Sequence, residues 1–135
     1  MSPHALLAVP GDLARPTGGY GYARRLLAEA GGAGLTLHHW PLPGGFPHAD
    51  AAAVAEAGAR LALGPAGWPV IVDGLALGVL PAEAIRAAGA PVIALCHHPL
   101  GLETGLAPEE AERLVASERA ALAACAGVIA TSRTT

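Results

Sequence analysis

Val92-Ile93-Ala94-Leu95-Cys96-His97-His98-Pro99 is the stretch that decides the fold. Its first five residues are apolar without alternation, which reads as a strand buried on both faces. The run stops at two histidines and a proline, so polar chemistry begins where the strand ends. Four other short runs have the same character: Ala5 to Val9, closed by Pro10-Gly11; Leu35 to Trp40; Val70 to Asp73; and Val128 to Ala130. Helical segments fall between them. Tyr20 to Ala30 is stopped by Gly31-Gly32, and an Ala-rich helix capped by Asp50 runs through about Leu63. A broken helical stretch follows Asp73, with Pro81 near the start of its second part. Glu109 to Ala124 has Pro108 at its start and acids in its first turn.

Buried strands alternating with helices predict an α/β fold. The expected form is a Rossmann-like, doubly wound parallel sheet of about five strands, a three-layer α/β/α single domain. Right-handed crossovers favour the strand order 2-1-3-4-5. Ligands of such sheets lie beyond the carboxyl ends of the strands. The loops expected there hold Asp12, Gly18, Gly19, His38, His39, Asp73, His97, His98, Thr131 and Ser132.

Composition narrows the chemistry. The 135 residues suit one domain, and the net charge of −3 offers no basic surface for a nucleic acid. All eight basic residues are Arg and none is Lys. That excludes a phosphate-loop lysine and a Schiff base. Apolar residues make up 53% of the chain, much of it Ala. Two cysteines, no leader-like N-terminus and no apolar run of membrane-spanning length point to a cytoplasmic protein without membrane association. No GxSxG, CxxC or HExxH is present. Neither a metal nor a resident cofactor is expected.

Gly18-Gly19 stand at the start of the first helix, after Pro16-Thr17. Paired glycines there let a phosphate approach backbone N–H groups at the positive helix end, and they equally suit an ordinary turn. The dinucleotide pattern fails, because counting from Gly19 and Gly21 its third glycine falls on Arg24. The acid expected after the second strand is replaced by His38-His39. With Trp40, these residues read as a sugar-pocket wall or as packing. His97 and His98 point to opposite faces and make a poor chelate. His97 suits a substrate hydroxyl at neutral pH. Glu103 reads as a ligand to a sugar hydroxyl, as an orienting group for His97, or as a loop-ordering carboxylate. Asp73 reads first as a helix cap. Arg24 and Arg25 read as a solvated face, and Glu109, Glu110 and Glu112 as first-turn charge.

Several segments, in order, resemble the N-terminal domain of family 4 glycosyltransferases of GT-B architecture. They are Pro16-Thr17-Gly18-Gly19-Tyr20 running into Tyr22-Ala23-Arg24-Arg25-Leu26-Leu27, then Val70-Ile71-Val72-Asp73-Gly74-Leu75, then Val92 through Leu100 with Glu103-Thr104-Gly105-Leu106. Ser117-Glu118-Arg119 and Gly127-Val128-Ile129-Ala130-Thr131-Ser132 complete the set. The resemblance implies that residues 1–135 are the acceptor-side half of a retaining-type enzyme using a nucleotide-sugar donor. In that reading Gly18 and Gly19 approach the donor phosphates, His97 is catalytic, and Glu103, His98 and Asp73 bind substrate. The family's C-terminal donor-binding domain is not in this sequence, so the chain is expected to be an incomplete domain, inactive alone. Its last strand is then expected at an uncovered sheet edge, favouring self-association.

Two other classes remain open at this level. A receiver-like phosphoacceptor fits the length, the strand order and Asp73 at the third strand's end, but such domains want an acidic pair after the first strand and a Lys after the fifth. A non-catalytic module that only binds a sugar or a partner describes the behaviour of the chain as it stands better than an enzyme does.

Overall fold

The computed structural model describes residues 3–133. Five strands, β1 (His4–Pro10), β2 (Thr36–Leu42), β3 (Val70–Asp73), β4 (Val92–Cys96) and β5 (Gly127–Ala130), form one sheet in the order β2-β1-β3-β4-β5. Every pairing is parallel, with Leu6 opposite both His38 and Val70, Val70 opposite Val92, and Ala94 opposite Val128. The expected single-domain, Rossmann-like α/β architecture is present.

Five helices connect the strands: α1 (Gly18–Glu29), α2 (Ala51–Ala62), α3 (Gly74–Leu77), α4 (Ala82–Arg86) and α5 (Pro108–Ala124). Local sequence explains their ends. Asp50 accepts the Ala53 N–H and starts α2, while Pro108 opens α5 with Glu109 and Glu110 in its first turn. The broken stretch after Asp73 resolves into α3 and α4, separated at Pro81.

Side chains alternate across each strand, so the sheet has two distinct faces. Leu6, Ala8, Val70, Val72, Val92 and Ala94 face one way and pack with Ala57, Leu61, Ile85 and Ala121 of α2, α4 and α5. Leu7, Val9 and Leu95 face the other way, where Tyr20 and Ala23 of α1 cover them. Ile71 is only partly buried on this side, and Ile129 of the edge strand is exposed.

One expectation needs correction. β2 does not stop at Trp40 but continues through Pro41 to Leu42. Proline lacks a donor for the ladder, yet β2 is an edge strand, where the missing N–H can face away from the sheet. His38 and His39 lie in the middle of β2, not in the ligand-facing loop expected beyond its carboxyl end.

The turn from β3 into α3 is the tightest contact between backbone segments near the site. A Cβ on Gly74 would sit 2.9 Å from the Leu95 carbonyl oxygen and 3.6 Å from Cys96 Cα. Gly74→Ala is expected to destabilise the fold by about 1–3 kcal/mol, because the β3–α3 turn and the end of β4 must part. Urea unfolding of the two proteins checks this; unchanged stability would mean that the turn is slack.

Candidate functional site

β3 and β4 end side by side, so that Asp73, the last residue of β3, and His97, the first residue after β4, stand at the carboxyl edge of the sheet. Asp73 is only 3% exposed. Its Oδ1 accepts the Leu75 N–H at 3.0 Å, as the expected cap of α3. Its Oδ2 lies 3.9 Å from His97 Nε2, beyond hydrogen-bond range but within electrostatic reach. Burial raises the Asp73 pKa; the Leu75 N–H and the neighbouring His97 pull it back in part.

The start of α1 closes the other side. Gly19 faces the imidazole so closely that a Cβ there would lie 3.7 Å from His97 Cδ2. Tyr22, one turn along, sets its ring edge-on to His97 with centroids 5.0 Å apart. Thr17 leaves the first turn of α1 without a side-chain cap, and no acid neutralises it. A Cβ on Gly18 would meet no atom within 4 Å, so the backbone there is open to an approaching group.

Asp73, His97, His98 and Glu103, together with Gly74, Leu75 and Leu100, line a cavity of about 240 Å³. The structure thus gathers Asp73, His97, His98 and Glu103 in one cavity, with Gly19 against the His97 ring outside it and Gly18 facing an apolar groove beside α1. Glu103 and His98 are exposed, whereas Asp73 is buried. Among the ion pairs of the described residues, the carboxylate facing His97 belongs to Asp73.

The cavity rests on a residue to which sequence reading gave no role. Glu118 of α5 is buried, and both its oxygens accept the Leu100 N–H, at 3.3 and 3.4 Å. That bond fixes the short 3-10 turn Leu100–Leu102 which carries the loop from His97 to Glu103. Burial raises the Glu118 pKa, opposed by the Leu100 N–H and by His98. Spacing held the signal: Glu118 stands four residues after Leu114 and three before Ala121, on the buried stripe of α5.

Other residues fall elsewhere. Arg24 is not merely a solvated face; it holds the first loop by donating to the Leu13 and Arg15 carbonyls at 2.8 and 2.7 Å. Arg25 pairs with Glu29 at the surface, and Glu110 lies 3.3 Å from His48. His38 stacks with Trp68 and meets His4 at 3.0 Å near the amino ends of the strands, away from His97. Cys96 is half-buried, and burial pushes its thiol pKa up. Among the described residues no cluster of three or more His, Cys, Asp or Glu could hold a metal, and no helix is long and apolar enough to cross a membrane.

No family model, curated protein sequence or solved structure matches this chain.

The raised Asp73 pKa has a definite consequence for stability. The fold prefers the protonated acid, so the stability this group contributes is full below the unfolded carboxylate range and is lost as pH rises through the folded value. Asn at this position keeps the acceptor for Leu75 and carries no charge. Asp73→Asn is therefore expected to raise the urea midpoint at pH 7, with the gain shrinking as the pH falls to about 4. A lower midpoint at pH 7 would show instead that the fold stabilises the charged Asp73 carboxylate.

Proposed function

We propose that this chain is the acceptor-side half of a retaining-type glycosyltransferase, working in the cytoplasm with a donor-binding domain that carries a nucleotide sugar. One observation carries the reading. The glycine start of α1 and the histidine that follows β4 meet at the carboxyl edge of the sheet, 3.7 Å apart as measured from a Cβ built on Gly19. The sequence resemblance separates these two motifs by nearly eighty residues and assigns both to one reaction centre.

Each group has a task in this reading. The uncapped N–H groups at Gly18 and Gly19 receive donor phosphate oxygens, favoured by the positive helix end. His97 offers a ring nitrogen to a hydroxyl of the sugar at the reacting centre. Asp73 acts behind it as a positioning residue, holding the imidazole against the cavity. Glu103 and His98 meet sugar hydroxyls from the exposed rim. The groups that stabilise a leaving diphosphate belong to the donor domain, so this chain alone turns over no nucleotide sugar.

The receiver-like alternative places a phosphoryl group on Asp73. Its carboxylate is 3% exposed and already caps α3. The chain also has no Lys to read such a phosphate.

NMR titration tests the proposal. Uridine diphosphate is expected to move the Gly18 and Gly19 amide resonances, and glucose the His97 imidazole. His97→Ala is expected to weaken the glucose response about two- to tenfold, the worth of one hydrogen bond. Phosphate transfer from acetyl phosphate and Mg²⁺ onto Asp73, or a glucose response indifferent to His97→Ala, would overturn it.

A further inference from the structure

Two acids are buried among the described residues, Asp73 and Glu118, and of these only Asp73 lines the cavity at the carboxyl edge of the sheet. Its side chain is 5% exposed. One oxygen, Oδ1, is taken by the Leu75 N–H. The other, Oδ2, stands 3.9 Å from His97 Nε2, beyond hydrogen-bond range. A carboxylate so far withdrawn from water keeps an acceptor in reserve, and an unanswered charge there is costly. Burial raises its pKa accordingly. The fold alone therefore leans towards the neutral acid, and an occupant that supplies positive charge draws the carboxylate back.

The rest of the wall has the same sign. Glu103 stands at the exposed rim, and neither Arg nor Lys lines the cavity; its other polar side chains are His97 and His98. Carboxylates grouped in a cleft of low dielectric concentrate a field that attracts cations and repels anions. The volume, about 240 Å³, lies below the roughly 300–1,000 Å³ of sites for drug-sized ligands, so the occupant is a single small ring. The described residues gather no group of three or more His, Cys, Asp or Glu able to hold a metal ion. An organic ammonium needs no such convergence, since it brings three N–H donors of its own. The wall is also packed tightly in advance. A Cβ on Gly101 would collide with Val115 of α5, and one on Gly74 would sit 2.9 Å from the Leu95 carbonyl oxygen. Little ordering of the segments bearing Glu103 and Asp73 is then left for binding to impose.

We infer that the sugar met by His97 is an amino sugar whose free ammonium group binds Asp73 Oδ2. This deepens the proposed function and rests on it. A hydroxyl in that place would satisfy the acceptor but leave the charge uncompensated. An ammonium does both, through a charge-assisted bond. Uronic acids and sugar phosphates are repelled from the same place by Asp73 and Glu103. The donor diphosphate is not, because Gly18 and Gly19 lie outside this cavity.

Four sugars of one ring type test the assignment: glucose, 2-amino-2-deoxyglucose, 3-amino-3-deoxyglucose and 6-amino-6-deoxyglucose. The His97 imidazole resonances report binding at about pH 6.5, where a sugar amine keeps its proton. At least one amino sugar is expected to bind about tenfold more tightly than glucose, the ratio of a charge-assisted to a neutral hydrogen bond. Glucuronate is expected to leave His97 unmoved at concentrations at which glucose moves it. Asp73→Asn keeps an acceptor for Leu75 and removes the charge, and is expected to erase the preference for the amine. Glu103→Gln, at the exposed rim, is expected to reduce that preference by no more than about twofold. The comparisons among sugars on the unaltered protein stand whether or not a variant folds. Equal affinity for glucose and all three amino sugars, glucuronate binding as well as glucose, or a preference that survives Asp73→Asn overturns the ammonium assignment and leaves the proposed function standing. No response of His97 to any of the sugars overturns the proposed function and the amino-sugar assignment with it.

Discussion

A parallel sheet has to keep both of its apolar faces from water, and here the two faces are kept unequally. Parallel strands need crossover helices, and each right-handed crossover assigns its helix to a side. In the order β2-β1-β3-β4-β5, the connection from β1 to β2 runs in one direction across the sheet and the later ones run in the other. The side of Leu6, Val70, Val72 and Val92 therefore receives α2, α4 and α5, and its residues are almost wholly buried. The side of Leu7, Val9 and Leu95 receives α1 alone. Burial follows position in the sheet as well: Leu7, Val9 and Leu95 on the thinly covered side are as buried as Val72, and the exposed Val128 and Ile129 both belong to the edge strand β5. The groove lies on this side, and the smaller cavity lies at the carboxyl edge of the sheet, between the ends of β3 and β4 and the segment from Leu100 to Glu103.

The polar end of that side depends on buried acids. Asp73 and Glu118 are largely withdrawn from water, and burial raises the pKa of each. Isolated, either would be costly. Each is met by a backbone N–H: Leu75 for Asp73 and Leu100 for Glu118. Those N–H groups begin the elements that follow β3 and β4. The two acids thus fix the paths of the chain on both sides of His97. Gly74 completes the arrangement, since any side chain there would strike the end of β4.

The sheet was legible in the sequence because its strands are short apolar runs with no competing period. β3 and β4 carry the boundaries read for them, Val70 to Asp73 and Val92 to Cys96, and the strand order follows from crossover handedness. The misplaced end of β2 shows the limit of that reading. Proline is a reliable strand breaker only where both ladder edges are used, and edge position is a tertiary fact. The same limit applies to side chains. Arg24 is indistinguishable in sequence from its neighbour Arg25, yet one ties down the first loop and the other reaches a surface partner. Asp73 as a cap was readable from its place before Gly74; its approach to His97 was not, because it depends on the pairing of β3 with β4. Glu118 was readable in principle, as a charge on a buried helical stripe.

Period two is what turns an ordinary buried strand into a site with two chemistries. Val72 and Ala94 face the thickly covered side, so Ile71 and Asp73 on β3 and Leu95 on β4 face the other, and His97 follows directly after the end of β4. Register aligns the two strands, with Ile71 opposite Ile93 and Asp73 opposite Leu95. Each strand thus changes from apolar to polar within one step of two residues, at its carboxyl end, under the start of α1. A slip of one residue in either strand would send its polar residue into the larger core and its apolar residues to the open side. The core packing that holds Val72 and Ala94 in place therefore also fixes where Asp73 and His97 emerge. Stability and chemistry are set by the same alternation, read from opposite faces of the sheet.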